Sequence, residues 1–393
     1  MFGLFLIAVA NVIAALGYVI MPDKTPDAND GSLYIKKKTP IFSVQMLKER
    51  KNMEVDEPSF LEGIYFGKES PYTIFPLAKE PELKDDSVFF VVNGEKTVIS
   101  LPLVQIVKPL LVGPANELGN QNWPDSIREP FYILGDTVHY INSKEQLQSI
   151  AKEDLEREFK LFNLEHKTYW LGTDKSGRDM LSRLLAGTRI SLSIGFVSVL
   201  ISLLLGVTMG ATAGFFGGRT DSLIMWFMTV LWSIPSIMLV IIISIALQSK
   251  GIWVAFVAVG MTMWVDVARV VRGQIMGIKE KLYIEAAKAF GISSRRIIFK
   301  HMLPNILGPL IVISTSNFAA AILIEAGLSF LGLGVQAPTP SWGIMINEGF
   351  DAIGTRDSWH LVLLPSLCIF AMVLAFNLFG NGLRDAYDPQ NMK

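Results

Sequence analysis

The chain has 393 residues, 51% of them hydrophobic and 18% charged, with a mean hydropathy of +0.40. Soluble domains carry about 25% charged residues, so this balance points to a membrane protein. A single cysteine excludes an internal disulfide framework, and a net charge of −1 gives no basic surface for nucleic acid.

That near-neutral total conceals a division. Residues 21–175 hold 25 acidic and 19 basic side chains, whereas the remainder holds 11 and 16. A polar, acidic block is therefore set inside an apolar, mildly basic chain.

Residues Phe2–Ile20 are apolar and uncharged, and at about 1.5 Å per residue they come close to spanning a bilayer core. A cleaved leader would want a basic start and a small-residue cleavage site. No Lys or Arg precedes Lys24, and Tyr18-Val19-Ile20 is a poor cleavage site, so residues 1–21 are expected to remain as a first transmembrane helix.

Residues 22–175 read as an inserted α+β domain. Two apolar-rich runs at 87–92 and 95–101 flank Asn93-Gly94, which predicts a β-hairpin with a type I′ turn. Residues 131–141 predict a further strand. Ser143-Lys144-Glu145-Gln146 fits a capping box opening a charged helix over 144–162. Twelve of the 19 prolines fall in this block, which implies many loops.

Five long apolar stretches follow, at 190–216, 223–247, 252–271, 306–328 and 361–379. With the first helix they make six spans, five of them in a membrane domain over 176–393. The fold class expected is an all-α polytopic membrane protein with an α+β domain inserted between helices 1 and 2. Gly206, Gly210 and Gly214 share one helix face, as close packing requires. Asp266 and Arg269, at i and i+3, are expected to pair. Glu325 is an ionisable residue within a span and a candidate for a translocation path. Trp342, in a short segment after the fifth span, is expected as an interfacial anchor or gate.

Arg269, Arg272, Lys279, Lys281, Lys288, Arg295, Arg296 and Lys300 make the densest basic stretch near the membrane. The excess of Lys and Arg on cytoplasmic loops places it inside, together with Arg219, Arg384 and Lys393. An even number of spans then puts both termini in the cytoplasm and residues 22–175 outside.

No G-x-x-x-x-G-K-[ST] loop is present for nucleotide phosphates, and no H-E-x-x-H, paired-cysteine or G-x-S-x-G motif occurs. His139, His166, His301 and His360 are scattered and read as isolated surface or loop residues; Cys368 reads as a small apolar residue of the last span. A membrane-anchored sensor or scaffold would want a cytoplasmic output module, and the longest cytoplasmic segment, about 30 residues, is short for one.

The informative segment is the basic loop. Tyr283 to Gly291 predicts a short helix stopped by glycine, and Ser293 or Ser294 predicts the cap of a second helix running to Met302, with Pro304 beyond it. Glu285-Ala286-Ala287, Gly291 and Leu303-Pro304 resemble the EAA loop of bacterial ABC importer permeases, that family's docking element for its ATPase subunit. His301 stands where the generic pattern has Ile. Lys300-His301-Met302-Leu303-Pro304-Asn305 is similar to the version in the oligopeptide/dipeptide (peptide/nickel) branch. Leu171-Gly172-Thr173-Asp174-Lys175-Ser176-Gly177-Arg178-Asp179 with Ser182-Arg183 resembles that branch's segment before its second span. Pro340-Ser341-Trp342-Gly343, and Gly382-Leu383-Arg384-Asp385 with Asp388-Pro389, resemble its later signatures.

The resemblance covers about residues 165–393 and identifies a C-type permease subunit. It implies a second permease subunit, two cytoplasmic ATPase subunits and an extracytoplasmic substrate-binding protein, all serving a chain embedded in the bilayer of a bacterial plasma membrane. ATP and Mg would be bound by the partner ATPases, with no cofactor in this chain. The loop over 272–304, with its docking stretch 285–304, would transmit the ATPase motion, and the cargo would be di- or oligopeptides. The outer block is a departure, since the family usually has a shorter connection there.

Overall fold

The structure, a computed structural model, describes residues 1–56, 58–115, 123–124, 126–249, 251–354 and 358–387. Asp388-Pro389 and Lys393 lie outside the described residues. The chain separates into two compact units, one of Met1–Gly17, Leu184–Asp351 and the chain from Leu361 onward, the other of Tyr18–Arg183 and Ala352–His360. The first helix, α1 (Phe2–Ile20), has the bounds that its uncharged apolar run predicts.

The unit containing residues 18–183 is α+β. Its elements in chain order are β1 (Phe42–Arg50), α2 (Phe60–Phe66), β2 (Tyr72–Pro76), β3 (Glu82–Lys84), β4 (Ser87–Val91), β5 (Val98–Pro102), α3 (Leu103–Val107), β6 (Phe131–Leu134), β7 (Thr137–Ile141), β8 (Leu147–Ala151), α4 (Lys152–Glu158) and β9 (Leu164–Tyr169). Among the described residues they form three antiparallel sheets, ordered β2-β1-β9, β3-β4-β5 and β6-β7-β8. Alternation along each strand sends Val88 and Phe90 of β4, and Val138 and Tyr140 of β7, into one core with Leu103, Val104 and Ile106 of α3 and Leu155 of α4. Buried Asn163 donates to the carbonyls of Lys48 (2.6 Å) and Ile106 (2.9 Å).

Three local expectations are corrected here. The hairpin forms as β4-β5, but only Gly94 takes a positive φ (87°), so its turn is not type I′, which needs two such residues. The stretch 131–141 is a hairpin, not one strand; Gly135 at φ 59° turns β6 into β7. The helix expected over 144–162 begins only at Lys152. The Asn142 side-chain oxygen accepts from the backbone N–H groups of Lys144 and Gln146, both at 2.9 Å, and closes a turn into β8 instead. The capping box that does form is at α2. Glu62 N–H donates to the Ser59 hydroxyl (3.4 Å), and Ser59 N–H donates to the Glu62 carboxylate (2.9 Å).

Residues 171–183 fold into a closed polar knot. The Asp174 carboxylate accepts from Arg178 Nε (2.6 Å) and from the backbone N–H groups of Ser176 (2.8 Å) and Arg178 (3.0 Å). Arg183 Nε lies 3.3 Å from the same carboxylate, and the Arg183 side chain is fully buried. Gly177 has φ 76°, and a Cβ there would strike the Ser32 carbonyl, so glycine is required. Asp179 accepts from the backbone N–H of Ser182 (2.9 Å) and from its hydroxyl. Burial nevertheless holds the Asp179 carboxyl above the ordinary carboxylate range. Burial, reinforced by nearby Asp23, does the same to Asp30. His360, read from sequence as an isolated surface or loop residue, is fully buried with Nε2 3.3 Å from the Thr173 carbonyl.

The other unit is helical. Its elements are α5 (Met180–Phe216), α6 (Gly218–Trp232), α7 (Ser236–Ala246), α8 (Ile252–Lys279), α9 (Leu282–Ala289), α10 (Ser294–Arg296), α11 (Leu307–Phe330), α12 (Trp342–Phe350) and α13 (His360–Tyr387). Among the described residues, five stretches are long and apolar enough to cross a membrane: Phe2–Ile20, Met180–Phe216, Ile252–Lys279, Ser294–Phe330 and His360–Tyr387. This is a multi-pass membrane protein.

The span expected at 223–247 is broken. α6 and α7 meet at 93°, and Pro235, which lacks an N–H, stands at the break. The bent pair still follows α8 from end to end. Asp221 near the start of α6 binds Arg272 through two bonds (2.5 and 2.6 Å); Met228 clusters with Trp264 and Ala268; α7 packs near Ala255 and Ala258. From Arg272 back to Ala255 is roughly 25 Å of helix.

The glycine stripe packs as its spacing predicts. A Cβ at Gly206, Gly210 or Gly214 would strike Val267, Ala268 or Ile275 of α8 respectively, so α5 and α8 touch along their backbones. Two other expectations fail. Arg269 lies with its guanidinium 4.0 Å from the centre of the Trp232 ring, and no Asp266–Arg269 pair forms among the described residues. Trp342 is 2% exposed and donates its ring N–H to the Leu184 carbonyl (3.2 Å), so it is a core residue and not an interfacial anchor.

Candidate functional site

The basic loop between α8 and α11 is a packed element with two faces. Ile284 and Ala287 of α9 point inward, one helical turn apart. They join Ile297, Met302 and Ile306 from the second half of the loop, Val267, Val271 and Ile275 of α8, and Ala211 and Phe215 of α5 in one buried cluster. Half-buried Ile292 and Leu303 pack against it.

The turn between the loop's helices is set by backbone bonds. Gly291 N–H donates to the Lys288 carbonyl (3.0 Å) and Ile292 N–H to the Ala287 carbonyl (3.1 Å). That pair of bonds, around a residue at φ 72°, is the Schellman ending that glycine favours. A Cβ at Gly291 would meet no neighbour within 4 Å, so only the backbone conformation selects glycine. The second helix starts at Ser293 with an extended cap geometry but no side-chain cap bond. It continues from α10 through a widened turn over Ile297–Met302 and a tight one over Leu303–Ile306 into α11.

The outer face remains open. Leu282 is 83% exposed, Phe290 85%, and Tyr283 and Phe299 stand out beside them. Exposed Arg295, Arg296 and Lys300 lie along the same loop. Glu285 is exposed and makes no ion pair among the described residues.

The residues picked out from sequence divide between the two faces. Ala287 is buried and Leu303 half-buried, in the shared cluster, while Glu285, Ala286, Gly291 and Pro304 are exposed. Sequence reasoning passed over Leu282, Tyr283, Phe290 and Phe299. The signal lay in the three-residue spacing of Ile284 and Ala287, which commits those two to the inside and leaves the apolar residues flanking them outside.

Glu325 of α11 is fully buried. One carboxylate oxygen accepts from the Ser329 hydroxyl (2.7 Å), the hydroxyls of Ser191 and Ser341 lie beside the group, and the other oxygen has no hydrogen-bond partner. Its carboxylate is enclosed by this chain's own residues. Among the described residues, no group of three His, Cys, Asp or Glu side chains is placed to hold a metal ion.

Residues 202–393 match the family described as the inner membrane component of binding-protein-dependent transport systems. The oligopeptide transport system permease protein of Bacillus subtilis is 41% identical over 227 residues, covering 58% of this chain and 73% of that one. The dipeptide transport system permease protein of the same organism is 45% identical over 222 residues, 56% and 69% of the two chains. The glutathione transport system permease protein of Pectobacterium atrosepticum is 42% identical over 222 residues, 56% and 73%. A chain of the methionine ABC transporter MetNI, in an inward-facing form, aligns over 53% of this chain and 97% of its own with 19% identity and a TM-score of 0.44, too low to add to the assignment. A multi-helix membrane unit with this loop and these relatives defines a permease subunit of an ABC importer. The chain belongs to the binding-protein-dependent inner membrane components and, within them, to the oligopeptide/dipeptide branch.

Proposed function

We propose that this chain carries di- or oligopeptides inward across the plasma membrane, coupled through residues 282–306 to separate ATPase subunits. The observation that carries this reading is the two-faced loop. Its inner face is locked to α5 and α8, while its outer face presents Leu282, Tyr283, Phe290 and Phe299 to solvent. A displaced ATPase would move α9, and the packed cluster would pass that displacement into the membrane helices as a rigid-body rotation. An exposed apolar face rimmed by basic side chains is a docking surface by composition.

The chain itself hydrolyses nothing; ATP and Mg belong to two cytoplasmic ATPase subunits. A second permease subunit completes the path, and an extracytoplasmic binding protein delivers cargo. The peptide class follows from the oligopeptide and dipeptide relatives. With α6 and α7 counted as one crossing, six spans put both termini and the basic loop in the cytoplasm, and residues 22–175 outside.

The test is co-purification from native membranes through a C-terminal tag. The wild-type chain brings down a second permease and ATPase subunits. The L282S/F290S variant keeps the permease and loses the ATPases. Equal recovery of ATPases with both chains would overturn the docking role.

A further inference from the structure

A cavity of about 770 Å³ opens among α8, α11 and α13, within the helical unit. Along α11 its wall runs from Gly308 to Asn317, which is about 14 Å of helix. Val270, Pro309, Val312 and Ile313 give the cavity an apolar wall. Besides Ser316, whose hydroxyl donates to the Val312 carbonyl (3.4 Å), three polar side chains line it. Asp266 supplies a carboxylate from α8, Arg384 a guanidinium from α13, and Asn317 an amide from α11.

Each of the three lacks a partner among the described residues. Asn317 is 93% buried by its 7% exposure, and its amide nitrogen makes no hydrogen bond. A buried amide N–H without an acceptor is a standing cost that a ligand's carbonyl would remove. Arg269, the basic neighbour that could neutralise Asp266, is turned away onto Trp232. Asp266 and Arg384 are exposed at the cavity, and of the three only Asn317 is buried. Here a negative group, a positive group and an unpaired amide donor share a cavity of ligand size. The end near Gly308 is walled by the Tyr387 ring, which packs against it.

We infer that this cavity is a peptide subsite. Arg384 receives the terminal carboxylate, Asp266 the terminal ammonium, and the Asn317 amide donates to a peptide carbonyl between them. The apolar wall takes side chains without selecting among them. The inference rests on the peptide reading above and sharpens it: recognition is by the two termini and one backbone carbonyl. A zwitterion of two or three residues satisfies all three groups at once.

The test uses the purified transporter complex and a photoreactive tripeptide, Ala-benzoylphenylalanine-Ala, so that delivery by a binding protein is bypassed. Labelling maps to α8, α11 and α13 around Asp266, Asn317 and Arg384. Trialanine competes, while its N-acetyl and C-amide forms compete about tenfold less well, the loss expected for one charged hydrogen bond. D266N no longer distinguishes the N-acetyl form, R384Q no longer distinguishes the amide, and N317L labels weakly. The blocked peptides test the wild type directly, so a variant that fails to fold does not leave the question open. Labelling elsewhere in the chain, or equal competition by the blocked forms, overturns the subsite. Uptake of the same peptides into cells separates the two levels. If wild-type cells import them while the label maps elsewhere, only this inference falls. If they import none, the peptide reading falls and takes this ligand class with it.

Discussion

Two stretches hold most of the chain's recognisable motif residues, and they treat their side chains in opposite ways. In residues 171–183, Asp174, Arg178, Asp179, Ser182 and Arg183 are all nearly or fully buried; Asp174 faces both arginines, and Asp179 binds Ser182. In the loop over 282–306 only the inner apolar residues are matched, while Leu282 and Phe290 stand more than four-fifths exposed. A motif whose groups satisfy one another is architecture. A motif that leaves an apolar face open on a packed base has the composition of an interaction surface. Both were visible as motif residues in the sequence, and only their burial tells them apart.

The largest expected effect tests the closed half of that comparison. Asp174→Ala removes the carboxylate that lies beside the buried guanidinium of Arg183 and binds Arg178. Breaking a buried ion pair by removing one partner costs about 3–5 kcal/mol. The variant should accumulate poorly in membranes and unfold at a clearly lower temperature. Wild-type thermal stability would break the reading of this segment as a structural knot.

The open half is tested next at Gly291. Holding a β-branched residue at φ 72° costs about 1–2 kcal/mol, and Asn tolerates that region far better. Gly291→Val should reorient α9 and abolish coupled uptake, whereas Gly291→Asn should retain most of it. Equal activity in the two variants would show that the Schellman turn does not set the docking geometry.

The smallest effect concerns pH. Asp30 and Asp179 both have carboxyl groups held above the ordinary range, first by burial. Between the ordinary carboxylate range and those raised values, the native state holds protons that the unfolded chain has released. The stability of the polar unit should therefore rise as pH falls from neutral toward the ordinary range, and fall as pH rises. Asp30→Asn should flatten that slope, as read from thermal midpoints across the same pH interval.

Much of the membrane architecture was legible because a bilayer demands long apolar helices, and length is easily read. α1 and the runs that became α5, α8, α11 and α13 followed from that demand alone. The break between α6 and α7 was not foreseen, because hydropathy runs through Ser233-Ile234-Pro235 without a gap and only the missing N–H of Pro235 marks it. The polar unit was read less well. Its strands are four to nine residues long, and short-range bonds such as those of Asn142 decide where each begins. In the loop, Gly291 declared its turn through chemistry. Which apolar residues of the loop stay exposed was marked only by the spacing of Ile284 and Ala287, since an exposed Phe and a buried Ile look alike in a sequence. The cavity of Asp266, Asn317 and Arg384 was beyond reach, since three distant helices assemble it.

The most direct test of the account places a photoreactive amino acid at position 290 in native membranes, with position 98, exposed on β5 of the polar unit, as the comparison site. The account predicts that position 290 forms an adduct with an ATPase subunit and that position 98 does not. No ATPase adduct from position 290, or the same adduct from both sites, would contradict it.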